Sequence, residues 1–437
     1  MSTKNKNMTI IGGSRGLGRW IAEHLRDDFN ITITSRNSES GQKVADEINV
    51  NYNSDNISAI GDADIIIFSV PIENMVETIR DTAPYAPEGS LLMDVASVKR
   101  EPSNALLEYA PSNVEILPCH PMFGPRVPNL KRQIIVLTPI ENRSDKWFSI
   151  IKNYFEKSEC EVLVTSPEEH DRYMSIVQGL THFSFISLAS AIRKLNISVK
   201  RSRSFSSPVY SLMIDMVSRV LYQNPYLYYS IQKNNMENSF ARKTLIRESI
   251  YLSNLIEEGE EEDFVRNMEE SAEHLDDIEE ASIRSDKAIS MMNQKSNILS
   301  KSLGREIGVE DAYSKEVYVG ILKEIDSKNV TVDCGGEDTV LEISRLDILD
   351  SDELFQWKKE NIKAESFDLK VLFYHESSED VLIGMFKNIE PVIYAEIIEI
   401  GDKKDGFRPY TFRYSLFNVD DRDYVEEFVR GIGGIVL

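Results

Sequence analysis

The sequence has few cysteines and too little positive charge to balance its acids, and each shortage excludes a class of protein. It has three cysteines in 437 residues, with no Cys-x-x-Cys spacing. This indicates a reducing compartment, no disulfide framework and no metal site. Lys and Arg total 49 against 72 Asp and Glu, which gives a net charge of -23. Because so acidic a surface repels phosphate backbones and anionic lipids, we expect neither nucleic acid nor a membrane as a partner.

Long apolar runs are also scarce. We expect no membrane-spanning segment, because no apolar run reaches the length needed to cross a bilayer, and the start "MSTKNKNMTI" has no apolar signal core. We therefore expect a mature, cytoplasmic protein. The composition, 41% hydrophobic and 28% charged, is ordinary for a soluble globular protein. The length predicts roughly two to four domains.

Three regions with different patterns follow one another. Residues 1–165 alternate short apolar runs with polar helical stretches, which is typical of an α/β, doubly wound (Rossmann-like) parallel sheet. Residues 166–308 have almost no strand signal and predict an all-helical domain, in which the acidic run 257–284 is interpreted as a solvated helix face. Residues 309–437 predict a small α+β domain whose last strand-strand-helix-strand order fits half of a ferredoxin-like unit.

A glycine-rich turn follows the first predicted strand. The string "IIGGSRGLGR" (10–19) ends that strand and opens a helix, as in loops that bring backbone close to a pyrophosphate. The spacing departs from G-x-G-x-x-G, because Arg15 stands where the middle glycine belongs, and it also fits the G-x-x-x-G-x-G of short-chain dehydrogenases. The alternative is a tight turn without a ligand. The predicted cofactor-binding residues of this turn are Gly12, Gly13, Ser14, Arg15, Gly16, Leu17 and Gly18.

The end of the second predicted strand bears on the choice of cofactor. Enzymes that prefer NAD usually have an acidic residue there, whereas this chain has "TSRN". Since Arg36 with Ser35 can pair with a 2′-phosphate, we favour NADP, and NAD remains possible. The alternative for Arg36 is an ordinary exposed loop arginine. We also assign Val70 and Pro71, after the third predicted strand, to the cofactor site.

Five local strings carry a resemblance to a known family. They are "SVP" (69–71), "DVASVKREP" (94–102), "LPCHPMFGP" (117–125), "EEHDRYMSIVQGLTHF" (168–183) and "SSPVYSLMIDMVSRVLYQNPYLY" (206–228). Together they resemble the prephenate dehydrogenases of tyrosine biosynthesis, in the group whose glycine loop begins with Gly-Gly. That family oxidises prephenate to 4-hydroxyphenylpyruvate, with release of carbon dioxide and hydride transfer to NAD(P). The resemblance does not reach the last region of the chain.

The string "HPMFGP" contains the candidate catalytic base. The near-neutral pKa of histidine suits removal of the prephenate ring-hydroxyl proton, and His120 follows a predicted strand, at the sheet edge where α/β folds bind ligands. The resemblance implies this role for His120, and for Ser97 a hydroxyl that bonds both substrate and His120. The alternatives are a buried histidine satisfied by a backbone carbonyl, and a helix N-cap at Ser97 with Glu101 near the capping-box position.

A polar stripe marks the first helix of the middle region. It consists of Asp171, Ser175, Gln178 and His182. Spacings of four, three and four residues place these side chains on one α-helical face, where polar groups are costly unless they meet something polar. The resemblance makes His182 a substrate contact and Gln178 a supporting one. His170 is assigned near the nicotinamide, with a surface histidine as the alternative.

Arg219, in the string "DMVSR", is the candidate clamp for a substrate carboxylate. A guanidinium pairs bidentately with a carboxylate, and a dianionic substrate needs such a partner in an acidic protein. The alternative is a pair with Asp215, one helical turn away. Some relatives carry another arginine where this chain has Ser211.

Two expectations concern assembly and regulation. The resemblance implies a homodimer formed through the helical region. For the last region, tyrosine is the obvious feedback effector, and a structural or dimerising module is the alternative.

Two other functions stay open. An arogenate dehydrogenase differs only at the side-chain end of the substrate, and the sequence does not distinguish it. A nucleotide-binding regulator without catalysis is the second, although the presence of both Ser97 and His120 argues against it. A short-chain dehydrogenase is disfavoured, because residues 1–165 lack a Tyr-x-x-x-Lys pair.

Overall fold

The structure is a computed structural model that describes residues 6–326 and 328–437, apart from the side chains at positions 292, 293 and 296. Residues 1–5, part of the string that suggested a mature start, lie outside the described residues. The chain divides into two compact units, Met1–Ile278 and Glu279–Leu437. Each unit has two hydrophobic core clusters of its own.

The first part of the first unit alternates strands and helices, as the sequence predicts. Its strands form because their residues are apolar at successive positions, which suits burial on both faces of a sheet. In chain order the elements are β1 (Lys6–Ile11), α1 (Gly16–Leu25), β2 (Phe29–Thr34), α2 (Ser38–Ile48), β3 (Asn51–Asn53), α3 (Asn56–Ile60), β4 (Ile65–Phe68), α4 (Ile72–Thr82), β5 (Leu91–Asp94), α5 (Arg100–Tyr109), β6 (Glu115–Ile116), β7 (Cys119–Pro121), β8 (Ile134–Leu137), α6 (Asp145–Lys157) and β9 (Glu161–Val164).

Six of these strands form one parallel sheet in the order β3-β2-β1-β4-β5-β6. The winding reverses between β1 and β4, which is the topological switch point where doubly wound sheets bind ligands. Alternate side chains of the strands point to opposite faces of the sheet and pack in two hydrophobic cores. Ile10 and Ile67 belong to one core, and Ile11 and Ile66 belong to the other. The predicted Rossmann-like α/β class is confirmed.

The last three strands form a separate sheet, β7-β8-β9, whereas the sequence predicted one parallel sheet throughout. Leu117 still bonds the main sheet through its N–H to Leu92, but Pro118 has no N–H to continue that ladder. The chain therefore turns away, and β7 pairs antiparallel with β8. As a result His120 lies within a strand rather than directly after one.

The second part of the first unit is helical. Asn224 caps the helix that begins at Pro225, so residues 208–234 form two helices. A π-helical segment, Ser175–Leu180, lies between the first two helices. The α-helices are α7 (Pro167–Met174), α8 (Thr181–Lys194), α9 (Val199–Ser202), α10 (Pro208–Leu221), α11 (Pro225–Asn234), α12 (Asn238–Glu258) and α13 (Glu261–His274).

The stretch Pro167–Lys194 corrects one sequence-based expectation. It is long and apolar enough, by length and composition, to cross a membrane, with a mean hydropathy of 1.3. Scattered Ser, Thr and His residues divide it into short apolar runs, which concealed its mean hydropathy. Only 11% of its most apolar window is buried.

The second unit contains two antiparallel sheets. The domain boundary predicted after residue 308 falls inside the strand Glu306–Asp311, and the helix before that strand belongs to this unit. Its elements are α14 (Ile278–Lys301), β10 (Glu306–Asp311), β11 (Val317–Ile325), β12 (Asn329–Asp333), β13 (Asp338–Glu342), β14 (Leu346–Ile348), α15 (Ser351–Asn361), β15 (Glu365–Tyr374), α16 (Glu379–Lys387), β16 (Tyr394–Ile400), β17 (Phe407–Leu416), α17 (Arg422–Gly431) and β18 (Ile435–Val436).

The first of these sheets has the order β13-β12-β11-β10-β14, and the second β16-β17-β15-β18. The second sheet and its helices follow one another as β-α-β-β-α-β, which completes a ferredoxin-like unit of which the sequence predicted only half. Sequence reasoning missed α15 and α16, and of these α16 belongs to the ferredoxin-like unit, with Leu382 and Phe386 buried one turn apart. Phe386 stacks on Phe412 of β17 with ring centroids 4.1 Å apart.

Candidate active site

The turn after β1 packs closely against the turn after β4. Gly12 has a φ of +86°, and a Cβ there would lie 2.4 Å from the carbonyl oxygen of Ser69, in the turn after β4. A Cβ on Gly18 would lie 2.9 Å from the Ser69 hydroxyl. Helix α1 begins at Gly16 with no side-chain cap and no acid in its first turn, as far as the described residues show. Its free N–H groups and positive dipole end therefore face the switch point, an arrangement that suits a pyrophosphate.

The other predicted cofactor residues line the same edge. The Ser14 hydroxyl donates to the Ser35 hydroxyl at 2.9 Å, which joins the turns after β1 and β2. Arg15 and Arg36 are exposed, and neither forms an ion pair within residues 6–326 and 328–437. Glycines without Cβ atoms, an uncapped helix N-terminus and two guanidinium groups without ion pairs among the described residues fit the phosphates of a nicotinamide dinucleotide. Leu17 and Val70 pack on the two cores, and Pro71 precedes α4.

His120 is buried, and its ring nitrogens face two other side chains. Its Nδ1 lies 2.8 Å from Nε2 of His170, and its Nε2 lies 3.5 Å from the amide nitrogen of Gln178. Burial lowers the pKa of His120 well below its usual value, and the charges of His170 and Lys99 act in the same direction. At neutral pH the ring is therefore neutral, the form that accepts a proton.

The Asp171 carboxylate joins α7 to the turn before α5. Its Oδ1 accepts from the backbone N–H of Lys99 at 2.8 Å, and its Oδ2 accepts from that of Arg100 at 3.0 Å. These N–H groups open α5, so Asp171 caps that helix from another element. The alternative roles of Ser97 as the N-cap and Glu101 as part of a capping box are therefore wrong.

Ser97 is half-buried in the turn between β5 and α5. Its hydroxyl bonds no residue that the structure describes, so the expected bond to His120 is absent here and the hydroxyl is available to a ligand. The alternatives for the two histidines also fail. His120 bonds side chains rather than a backbone carbonyl, and His170 is 2% exposed rather than a surface residue.

The π-helical segment packs closely against α12. Gly179 packs so closely on α12 that a Cβ would lie 2.1 Å from the Asn238 side-chain oxygen. Its carbonyl accepts a hydrogen bond from Gln232 Nε2 at 2.6 Å. Such segments are frequent at functional sites.

The wider turn separates the stripe that the sequence placed on one α-helical face. Gln178 reaches His120, and His182 packs edge-to-face on Tyr228 with centroids 4.6 Å apart. Asp171 instead caps the start of α5, and the Ser175 hydroxyl donates a hydrogen bond to the backbone carbonyl of Arg172, one turn earlier. The structure therefore divides the predicted stripe into side chains with separate directions.

Arg219 is exposed on α10 and pairs with no acid among the described residues. The alternative pair with Asp215 does not form, because Asp215 pairs with Arg203. Burial raises the pKa of Tyr228, and the nearby Arg219 guanidinium opposes that rise. Since Tyr228 contacts His182, the free guanidinium lies near the His182 side of the site.

Sequence reasoning missed a buried ion pair beside the histidines. The side chains of Lys99 and Asp94 are 0% exposed and contact each other. Burial raises the pKa of Asp94, although the Lys99 charge opposes the rise. Burial also lowers the pKa of His120 and of His170, and Lys99 lowers both further. The available signal was a pair of opposite charges in the string "DVASVK", directly after an apolar strand.

The fold and these side chains define an NAD(P)-dependent dehydrogenase, with a glycine turn at the switch point of the sheet and a buried histidine held between sheet and helices. Residues 21–164 match the family description "Prephenate dehydrogenase, nucleotide-binding domain", and residues 166–270 match "Prephenate dehydrogenase, dimerization domain". The chain belongs to the prephenate dehydrogenase family. The glycine turn precedes the matched residues.

Similar proteins extend over different lengths of the chain. A Methanocaldococcus jannaschii protein, "Probable arogenate/prephenate dehydrogenase", is 36% identical over 99% of both chains. The Haemophilus influenzae "T-protein" is 31% identical over 54% of this chain and 59% of its own. The structure of A. aeolicus prephenate dehydrogenase with hydroxyphenyl propionate and NAD+ has a TM-score of 0.52 at 22% identity, and covers 62% of this chain and 98% of its own. This structural likeness shows the fold of the first unit's sheet and helices.

Proposed function

We propose that the protein oxidises prephenate at its ring hydroxyl and releases the ring carboxylate as carbon dioxide, forming 4-hydroxyphenylpyruvate. The observation that carries this proposal is the buried, neutral His120, whose Nε2 has no contact among the described residues other than a long one to Gln178. The nicotinamide cofactor, when bound, accepts the hydride. His120 takes the hydroxyl proton at Nε2, and the free Ser97 hydroxyl holds the same substrate oxygen. Loss of the carboxylate makes the ring aromatic, which drives the reaction.

Arg219 is the proposed partner of a substrate carboxylate. Its guanidinium is exposed and forms no ion pair with a described residue, and the net charge of -23 makes a local cation necessary for a dianion. Lys99 does not supply that cation, because it is buried and paired with Asp94. His182 and Gln178 are the proposed polar contacts beside it.

The test is the near-ultraviolet absorbance of reduced nicotinamide, followed with each cofactor and with prephenate or arogenate. We expect turnover of prephenate. Arogenate remains the second candidate, because the M. jannaschii relative carries both names. The ratio of kcat/KM for the two substrates decides between them, and no turnover of either would contradict the proposal.

NADP is the proposed cofactor, with NAD as the alternative. Arg36 is exposed beside Ser35, and no acid ends β2. Because a lost charged hydrogen bond costs roughly 1.5–3 kcal/mol, Arg36→Ala is expected to raise KM for NADP about tenfold or more and to leave KM for NAD nearly unchanged. Steady-state kinetics with both cofactors measure this, and Lys43→Ala on α2 is the control. An equal change for both cofactors would contradict the assignment.

The helical region is the proposed homodimer surface. Helix α8 has no buried residue in the single chain, and Phe183, Leu245 and Ile250 line an open apolar groove between α8 and α12. Such a face is costly in water unless something covers it. A second copy is the proposed cover, because residues 166–270 match a dimerization domain and the acidic chain disfavours a membrane.

Ile250→Glu is therefore expected to convert a dimer to a monomer in light scattering, because it places a charge in the apolar groove. Gln42→Glu adds the same charge to the exposed face of α2 and is expected to leave the mass unchanged. A wild-type monomer at micromolar concentration would contradict the dimer.

Tyrosine is the proposed effector of the ferredoxin-like unit formed by β15 to β18. The support is its β-α-β-β-α-β order, which amino-acid-sensing domains share. Tyrosine is expected to lower the initial rate and raise the Tm of the intact protein, with phenylalanine as the control. If neither quantity changes, the unit is a structural module.

A cytoplasmic location is also proposed. Cys119 and Cys160 are free and buried, and burial raises the pKa of these thiols to about 12 and about 11. Such thiols are poorly reactive, as expected of cysteines that form no disulfide in a reducing compartment.

A further inference from the structure

Three side chains form a continuous hydrogen-bonded row behind the candidate base. Nδ1 of His120 lies 2.8 Å from Nε2 of His170, and Nδ1 of His170 lies 2.8 Å from Oδ1 of Asp171. All three residues are at most 3% exposed. Two nitrogens that face each other at this distance share one proton, so the row has a direction.

The carboxylate fixes that direction. An ionised carboxylate only accepts hydrogen bonds, so His170 must carry its proton on Nδ1 and donate it to Asp171. Nε2 of a neutral His170 is then a lone pair, which requires His120 to carry its proton on Nδ1. Nε2 of His120 is left as a lone pair, on the side where Gln178 makes its 3.5 Å contact. This is the atom that must be unprotonated in a base.

We propose that His170 and Asp171 are positioning residues that hold His120 in the tautomer with a free Nε2, an inference that rests on the proposed function. In the reaction the substrate O–H bond breaks and an N–H bond forms at His120 Nε2. The proton on Nδ1 stays in place and keeps its bond to His170. The negative charge of Asp171 offsets the imidazolium that results, in a buried site that also holds the positive charge of Lys99.

Asp171 is itself held rigidly. Its two oxygens accept from the N–H groups of Lys99 and Arg100 as well as from His170. The row therefore ends on the start of α5, the helix that follows the turn containing Ser97. The Asp171 carboxylate thus orients His120 through His170 and also fixes the turn between β5 and α5, which contains Ser97.

The first test compares two replacements of His170. Glutamine offers a carbonyl oxygen near the position of Nε2, so His170→Gln can still accept the proton on His120 Nδ1. Leucine fills similar space without an acceptor. We expect His170→Leu to lower kcat about 100-fold or more with a small change in KM for prephenate, and His170→Gln to keep at least about ten times the kcat of the leucine variant. Equal activities for the two would show a packing role and overturn the proposal.

The second test removes the charge at the end of the row. Asp171→Asn keeps the size of the side chain, and we expect a kcat at least about tenfold lower, with the acidic limb of the kcat/KM profile moved to lower pH. The shift follows because losing a nearby negative charge lowers the pKa of His120. The other titratable groups that face His120 are His170 and Lys99, and Asp94 lies behind them. Glu168→Gln removes an exposed acid from the first turn of the same helix and is the control. An unmoved acidic limb would overturn the proposal.

Nitrogen NMR of the wild-type protein labelled with ¹⁵N-histidine tests the row without turnover. We expect His120 and His170 both to be protonated at Nδ1 near neutral pH, with their signals assigned by loss in His120→Asn and His170→Gln. Protonation of His120 at Nε2 would overturn the tautomer assignment even in an active enzyme. Conversely, Nδ1 protonation in a protein that turns over neither prephenate nor arogenate would refute only the proposed function.

Discussion

Replacing His120 by asparagine is expected to lower kcat for prephenate oxidation by about 10²–10⁴-fold, the usual contribution of a general base. Asparagine cannot take the substrate proton at the position of Nε2. Its amide nitrogen can still donate to His170 as Nδ1 does at 2.8 Å, so the row behind it is expected to survive. The measurement is kcat at saturating prephenate and cofactor.

Two observations make this result specific. Cofactor binding, followed by fluorescence titration, is expected to be unchanged, because the glycine turn does not involve His120. His274→Asn alters an exposed histidine at the end of α13 and is expected to leave kcat unchanged. Near-normal turnover by His120→Asn would show that another group removes the proton.

Replacing Lys99 by methionine is expected to be the most destabilising single change near the site. Lys99 and Asp94 are both fully buried, and removing one partner of such a pair costs about 3–5 kcal/mol, because the other charge is left without compensation. Only the backbone N–H of Ala96, at 3.0 Å, would remain on the Asp94 carboxylate. The free energy of unfolding in urea measures the loss.

The matched control is the double variant Asp94→Asn with Lys99→Met. Because it removes both charges, it is expected to be more stable than Lys99→Met alone by about 1–3 kcal/mol. A single Lys99→Met variant within about 1 kcal/mol of wild type would show that the ion pair is not a stabilising element.

The parts of the fold that were predictable are those with local signals. Strands buried on both faces are continuous apolar runs, as in Ile65–Phe68, and the glycine turn follows one of them. Asn51–Asn53 was missed because three mostly polar residues carry no such pattern. The departure of the chain at Pro118 depends on which strand lies at the sheet edge, which is a tertiary fact.

The site was predictable as a set of residues but not as an arrangement. His120, Gln178 and His182 stand in distinctive strings, whereas the contact of His120 with His170 spans 50 residues. Asp171 caps helix α5 through the backbone N–H of Lys99, which is 72 residues away in sequence, and this bond takes the place of the local cap predicted at Ser97. Likewise, Gly179 lies in a π-helical segment and packs on Asn238 of another helix, and an α-helical spacing rule anticipates neither feature.

The apolar surface of α8 makes the stability of a newly synthesised chain depend on its concentration. Helix α8 is part of the apolar stretch Pro167–Lys194 and has no buried residue in the single chain, so a subunit keeps this surface in contact with water until the proposed dimer forms. By mass action, the fraction of chains in that state rises as the protein is diluted. The resistance of the enzyme to heat and aggregation should therefore increase with its own concentration.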